Sequence, residues 1–225
     1  MERLSVRIWL PDEPGMLAAV ATRIAAIRGN VVGLEVLERS GGVAVDELMV
    51  ELPEAGLTDK LCRQLRTIEG AGIEEVRPVP PGMEERGLQV IAAAVSILET
   101  ANASASLSAL VGLTGELFDT EWSALVDLRS ETYVHCTGDV PTIPWLMAFF
   151  SGTRATSDAS TGSGVMAGEL AEASLMLAIG RTVAFRRREH QELEMLVRVA
   201  DRMCRPLRGD RIPVAWGSTS RFPGS

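Results

Sequence analysis

The sequence predicts an α+β chain of two antiparallel modules in tandem within its 225 residues, and three observations carry that prediction. Strand-type alternation gives way to helix-type spacing at Asp12-Glu13-Pro14-Gly15-Met16-Leu17. Residues 1–80 then follow the order β-α-β-β-α-β, the split βαβ or ferredoxin-like arrangement. After Pro80-Pro81-Gly82 the pattern restarts as helices, a strand hairpin, a polar loop, a second hairpin and a closing helix, a sheet with flanking helices.

The first strand rests on Leu4, Val6, Ile8 and Leu10 alternating with Ser5, Arg7 and Trp9. Pro11 and Pro14 stop it, and Gly15 permits a tight turn. From Met16 the period changes: Leu17, Val20, Ala21, Ile24 and Ile27 share one helix face. Gly29 suits the helix C-cap. Val32, Leu34 and Val36 define a second strand, Ser40-Gly41-Gly42 a hairpin turn, and Val43 to Leu52 a third strand with Asp46, Glu47 and Glu51 expected on its exposed positions. Thr58 to Glu69 reads as a helix with Leu57, Leu61, Leu65 and Ile68 inward, and Ile73 to Val79 as the fourth strand.

Residues 81–87 are the expected linker and 88–204 the second module. Leu88 to Glu99 reads as a helix with Val90, Ile91, Ala94, Val95 and Leu98 inward, followed by a second helix from Leu107 to Phe118. Glu121 to Leu128 pairs with Thr132 to Cys136 as a hairpin. Pro144 to Phe150 forms a short apolar helix, and Ser151 to Gly164 is a Ser/Thr/Gly-rich loop. Gly164 to Leu170 and Ser174 to Ile179 make the second hairpin, and Arg187 to Met203 the closing helix. The tail, 205–225, lacks periodicity and is expected to be extended or disordered.

Composition bounds the function. A net charge of −8 argues against nucleic-acid or membrane-surface partners, and no apolar run reaches the length of a membrane span. Three widely spaced cysteines, Cys62, Cys136 and Cys204, argue against a disulfide framework and fit a reducing, cytoplasmic setting. Nucleophilic chemistry lacks its parts. The histidines are His135 and His190; His135 and Cys136 adjoin on a strand and so point to opposite faces, and His190 sits in an acidic helix, where a solvated face is expected. No metal-ligand spacing occurs, and Gly162-Ser163-Gly164 lacks the Lys-Ser/Thr ending of a phosphate loop. Neither catalytic residues, a metal nor a cofactor are therefore expected. Arg186-Arg187-Arg188 opens the closing helix at the end that disfavours cations, which fits a solvated cap region first and an acidic partner as the alternative.

The βαββαβ order, the Asp12-Glu13-Pro14-Gly15-Met16-Leu17 turn and Gly29-Asn30-Val31-Val32 at the second strand together resemble the ACT domain, over about residues 3 to 80. That resemblance implies a regulatory module binding an amino acid or similar metabolite at an interface between paired domains. By position it implicates Asp12, Glu13, Gly15, Met16 and Leu17 in the turn and Asn30 and Val31 at the second strand. There, N–H groups after Gly15 suit a ligand carboxylate, Asp12 a ligand ammonium, and the Asn30 amide offers both donor and acceptor. Some ACT domains only dimerise. The closing stretch Leu175-Met176-Leu177-Ala178-Ile179-Gly180-Arg181, with Phe185, Glu189 and Leu193, resembles the end of a GAF domain, a sensory or dimerising module, over about residues 88 to 203. The combined expectation is a non-catalytic, cytoplasmic, homodimeric regulator that senses a small molecule. The alternative is a dimerisation adaptor, or the regulatory subunit of a partner enzyme, with no ligand of its own.

Overall fold

A computed structural model of the chain describes residues 1–79, 86–155 and 163–204, the side chains of 153–155 apart. Most of the expected linker, the centre of the expected loop at 156–162, and the tail at 205–225 lie outside the described residues. The chain packs as two compact units, one of Met1–Gln89 with Phe185–Gln191, the other of Val90–Ala184 with Glu192–Ser225. Phe185–Gln191, read from the sequence as part of the second module, thus packs with the first.

The first unit contains β1 (Glu2–Pro11), α1 (Met16–Ala25), β2 (Asn30–Ser40), β3 (Val43–Leu52), α2 (Thr58–Leu65) and β4 (Gly72–Pro78). Its sheet runs β2-β3-β1-β4 with antiparallel neighbours, the ferredoxin-like order. The alternation in β1 fixes the core: Leu4, Val6, Ile8 and Leu10 turn to the helix side and meet Val20, Ile24, Leu61 and Leu65. Full burial of each such side chain contributes about 1.5–3 kcal/mol. Gly41 and Gly42 take left-handed φ of 60° and 79° in the β2–β3 turn, as a two-residue hairpin requires.

Three local readings change. The left-handed residue that ends α1 is Arg28, with φ 62°, rather than Gly29. Gly29 is needed for closeness instead, because a Cβ there would lie 2.8 Å from Ile24 Cγ2. Asp46 and Glu47 are buried, 2% and 8% exposed, because β3 is an interior strand covered on both faces. Val32, Leu34 and Val36 are substantially exposed, because β2 is an edge strand bulged at Val31/Gly33 and Val36/Glu38.

In the second unit β5 (Trp122–Asp127), β6 (Thr132–Gly138), β7 (Val165–Leu170) and β8 (Leu175–Gly180) form an antiparallel sheet ordered β6-β5-β8-β7. One face, with Ala124, Val126, Met176 and Ala178, packs on Leu146 and Phe150 of α5 (Ile143–Ala155). Helix α5 runs to Ala155, into the span read as loop. α4 (Ala103–Leu117) lies against the sheet and starts earlier than its apolar period suggests. The Asn102 side chain accepts the Ala105 N–H at 2.9 Å, a regular N-cap. Glycine is obligatory where elements touch: a Cβ on Gly168 would sit 2.8 Å from Val197 of α6 (Arg187–Met203). Arg181, part of the GAF-like stretch, donates to the carbonyls of Phe118, Val183 and Ala184 at 2.6, 2.9 and 3.2 Å and so braces the end of β8.

α3 (Arg86–Leu98) buries Val90, Ala93 and Ile97 and leaves Leu88, Ile91, Val95 and Leu98 about half exposed. The sequence expectation for its inward face is rotated by about one residue. The helix is apolar almost all round, so periodicity offers two competing faces.

Gly138 has φ 75°, and a Cβ there would lie 2.0 Å from the Glu121 carbonyl oxygen. Gly138→Ala is expected to cost at least about 2 kcal/mol from left-handed strain and backbone clash, read as a lowered urea midpoint.

Candidate functional site

The first-turn residues sit where β1 hands over to α1. Asp12 N–H donates to Gly42 O and Glu13 N–H to Pro11 O, both at 2.9 Å, which closes the turn on the β2–β3 hairpin. Gly15, at φ 95°, occupies the N-cap of α1 and offers no capping side chain. Met16 is half-buried and packs on the core, while Leu17 is 40% exposed. Asp12, expected to face a ligand ammonium, is held by Arg39, whose Nε donates to Asp12 Oδ2 at 3.1 Å. Nearby, Asp46 is buried with Oδ1 lacking a hydrogen-bond partner. Burial pushes its carboxyl above the usual range, Arg39 pulls it down, and Asp12 adds to the rise.

Asn30 and Val31 are at the other end of the sheet. Asn30 pairs with Glu51 on β3, whereas Pro11, beside the turn, pairs with Val43. The two places are thus separated by eight positions of β3, roughly 27 Å at about 3.4 Å per residue. One copy of the chain does not bring the seven candidate ligand residues together.

The sheet face opposite the helices carries a charged cluster that sequence reasoning missed. Register places Glu35, Glu47, Arg7 and Glu75 in one row across β2, β3, β1 and β4. Arg7 is 1% exposed, and its Nη2 lies 3.3 Å from Glu47 Oε1 and 3.2 Å from Glu189 Oε1. Its Nε and Nη1 have no hydrogen-bond partner. Burial works against the Arg7 charge, but Glu189, Glu47 and Glu75 outweigh it and raise the pKa. Glu189 serves two ends at once. As the third residue of α6 its Oε2 accepts the Arg186 N–H at 2.8 Å, one half of a capping box, while Oε1 receives Arg7 and, at 3.5 Å, Arg86. Glu35 and Glu47, like charges directly opposed, are offset by Arg188 on the first and by Arg77 and Arg86 on the second, the latter two at 3.6 and 4.0 Å. The basic run finds its acidic partners here: Arg186 reaches Glu74 and Glu38, and Arg188 reaches Glu35.

Beside this cluster, at the β2–β3 edge, lies a cavity of about 310 Å³. Its charged walls are Arg3, Arg86, Arg188, Glu35 and Glu47, and Val32, Leu34 and Met49 supply the apolar ones. The available sequence signal was the mid-strand placement of Arg7, flanked by Val6 and Ile8, and of Glu47 within the apolar run of the third strand. His190 is not on a solvated face: its Nε2 is buried without a partner, and burial lowers its pKa while Glu189 and Glu38 raise it less. His135 and Cys136 hold successive positions on β6, opposite Leu125 and Ala124. No helix of the described residues is long and apolar enough to cross a membrane.

No protein-family model and no curated protein matches the chain. Solved structures similar to it include the ACT domain from the GTP pyrophosphokinase of Chlorobium tepidum, at 19% identity and TM-score 0.29, over 35% of this chain and 100% of that one. A candidate glycine cleavage system transcriptional repressor is similar over 92% of both chains, at 10% identity and TM-score 0.34. A protein of unknown function from Galdieria sulphuraria is similar over 89% of this chain and 92% of that one, at 12% identity and TM-score 0.31. The assignment of the first unit as ferredoxin-like rests on its own strand order and connections.

Two outcomes are expected. Arg7→Met leaves Glu47 and Glu189 buried with less compensation, so it should destabilise by about 3–5 kcal/mol in urea unfolding. A cycle with Glu189→Gln should show coupling of about 1 kcal/mol or more. For Glu47, burial opposes ionisation but Arg7, Arg86 and Arg77 prevail, so its carboxyl titrates below the usual range. Its stabilising charge is complete above the unfolded value, about 4.3, and lost as pH falls through the folded one. The stability gap between wild type and Glu47→Gln should therefore be widest near neutrality and close in acid. Asp46 has the opposite sign: Asp46→Asn should be the more stable form at neutral pH, with the advantage fading as pH falls through the raised folded value and gone below about 3.9.

Proposed function

We propose that the chain is a non-catalytic regulatory protein that senses a small metabolite, an amino acid bound by its ACT-like first unit at an interface between two copies. The observation that carries this reading is the separation of the first turn from Asn30 and Val31 across the sheet. A second copy, meeting the first antiparallel, brings the turn of one chain to the strand start of the other. The left-handed Gly15 supports it further, since the first N–H groups of α1 receive no side-chain cap and suit a ligand carboxylate. The GAF-like reading of the second unit is supported by its two hairpins in the order β6-β5-β8-β7 with flanking helices, and by the bracing role of Arg181.

A second reading, a dimerisation adaptor or regulatory subunit without a ligand, is favoured by the Arg39–Asp12 pair, which already occupies the expected ammonium partner. The exposed stripe Leu88, Ile91, Val95 and Leu98, at heptad spacing on α3, supports pairing of chains under either reading.

Thermal-shift measurements against the twenty amino acids separate the two. A ligand at one hundred times its dissociation constant adds about 2.7 kcal/mol of stability. Under the first reading that shift disappears in both Asp12→Ala and Asn30→Ala; under the second no amino acid shifts the transition. Light scattering over a dilution series is expected to give a dimer, and a monomer throughout would defeat both.

A further inference from the structure

We propose that Arg39 is a two-seat switch: it sits on Asp12, and it moves to the buried Asp46 when the cationic group of a ligand takes Asp12. Occupancy of the first turn is thereby passed into β3. The inference rests on the first-turn reading above and adds to it the regulation of that site.

Register puts both seats within reach of one side chain. Ala44 pairs with Leu10 and Asp46 with Ile8, the residues of β1 that face α1 and α2. Arg39 pairs with Ala44, so it stands on that same face, diagonal to Asp46. Diagonal neighbours are roughly 7–8 Å apart, a span that a long side chain covers. Asp12 follows β1 directly and is tied to the β2–β3 turn by its N–H bond to Gly42 O at 2.9 Å. Arg39 thus has one carboxylate at the turn and another along the strand.

The two seats differ in solvation. At Asp12 the contact is a fork, with Arg39 Nε donating to Oδ2 at 3.1 Å and Nη2 to Oδ1. The side chains of Arg39 and Asp12 are 65% and 31% exposed, and an ion pair in water contributes little and separates at low cost. Asp46 is 2% exposed with Oδ1 unpartnered, and a buried acceptor left unsatisfied is costly. Burial raises the Asp46 carboxyl, Arg39 lowers it and Asp12 adds to the rise, while its partners on the flanking strands, Ile8 and Val36, are apolar. An ammonium on Asp12 therefore acts twice: it frees the guanidinium, and it cancels the repulsion that Asp12 exerts on Asp46. The exchange balances. Arg39 leaves Asp12 for Asp46, the ammonium replaces it, and a protonated Asp46 gives its proton to solvent. Binding that releases a proton strengthens as pH rises, and levels off once Asp46 is already ionised without ligand.

The experiment follows the Asp46 carboxyl by carbon NMR of the full chain in wild type, Arg39→Gln, Asp12→Asn and the double variant. Asp12→Asn removes the charge of the first seat without any ligand. Arg39→Gln is expected to raise the Asp46 midpoint slightly in the wild type. In the Asp12→Asn background the same change should raise it by about one pH unit more, a tenfold difference in proton affinity. Urea unfolding at neutral pH should reverse in sign to match: Asp46→Asn stabilises the wild type and destabilises Asp12→Asn. Equal midpoint shifts in the two backgrounds overturn the proposal, because Arg39 then acts from one fixed place; so does an Asp46→Asn that stabilises both. Neither result touches the first-turn reading. A thermal screen in which no amino acid shifts the transition defeats that reading instead, while the midpoints still decide whether Arg39 has two seats. With an amino acid that does shift it, calorimetry below the Asp46 midpoint, in two buffers of different ionisation heat, should show proton release in the wild type and none in Asp46→Asn. Release that is absent from the wild type, or equal in both, overturns the switch.

Discussion

Arg7 sits mid-way along β1, an interior strand, with 1% of its surface exposed. A guanidinium so placed cannot shed its proton, so carboxylates must come to it. Glu47 arrives by register from β3, Glu75 by register from β4, and Glu189 from the first turn of α6. Each of those glutamates then needs cations of its own, which recruits Arg77 and Arg86. The charged layer on the sheet face opposite α1 and α2 grows outward from this one buried charge. It also explains why Phe185–Gln191 packs with the first unit although it is distant in sequence.

The two faces of this sheet follow different physics. On the helix side, aliphatic side chains from β1, β3, α1 and α2 exclude water and tolerate many detailed packings. On the other side, charge matching is specific, because each misplaced group leaves a buried charge uncompensated. That difference is why a cavity can persist there. Paired arginines and glutamates at fixed positions do not collapse inward as aliphatic chains do, and the bulges of β2 hold the edge strand away from regular pairing.

The first turn is shaped by backbone rather than side-chain chemistry. Gly15 in the left-handed region, the Asp12 to Gly42 hydrogen bond and the Arg39–Asp12 pair set its form. Asn30 and Val31 are displaced from it by the length of β3, a consequence of α1 carrying the chain back along the sheet before β2 begins.

Period and punctuation determined the elements. Alternation of Leu4, Val6, Ile8 and Leu10, the stops at Pro11 and Pro14, the Gly41-Gly42 turn and the helix face of Leu57, Leu61, Leu65 and Ile68 suffice to read βαββαβ, because backbone geometry imposes those spacings locally. The closing helix, Arg187–Met203, was legible for the same reason. Burial of charge was not legible. Asp46 and Glu47 look like surface positions until β3 is known to be an interior strand, and strand order is a non-local fact. The inward face of α3 was ambiguous because a helix apolar all round has no single moment. In the candidate site, the turn residues could be placed from sequence. The meeting of Arg7 with Glu189, 182 positions apart, and the cavity beside them could not. Only tertiary structure decides which distant charges become neighbours, since their pairing depends on register and packing rather than on any local propensity.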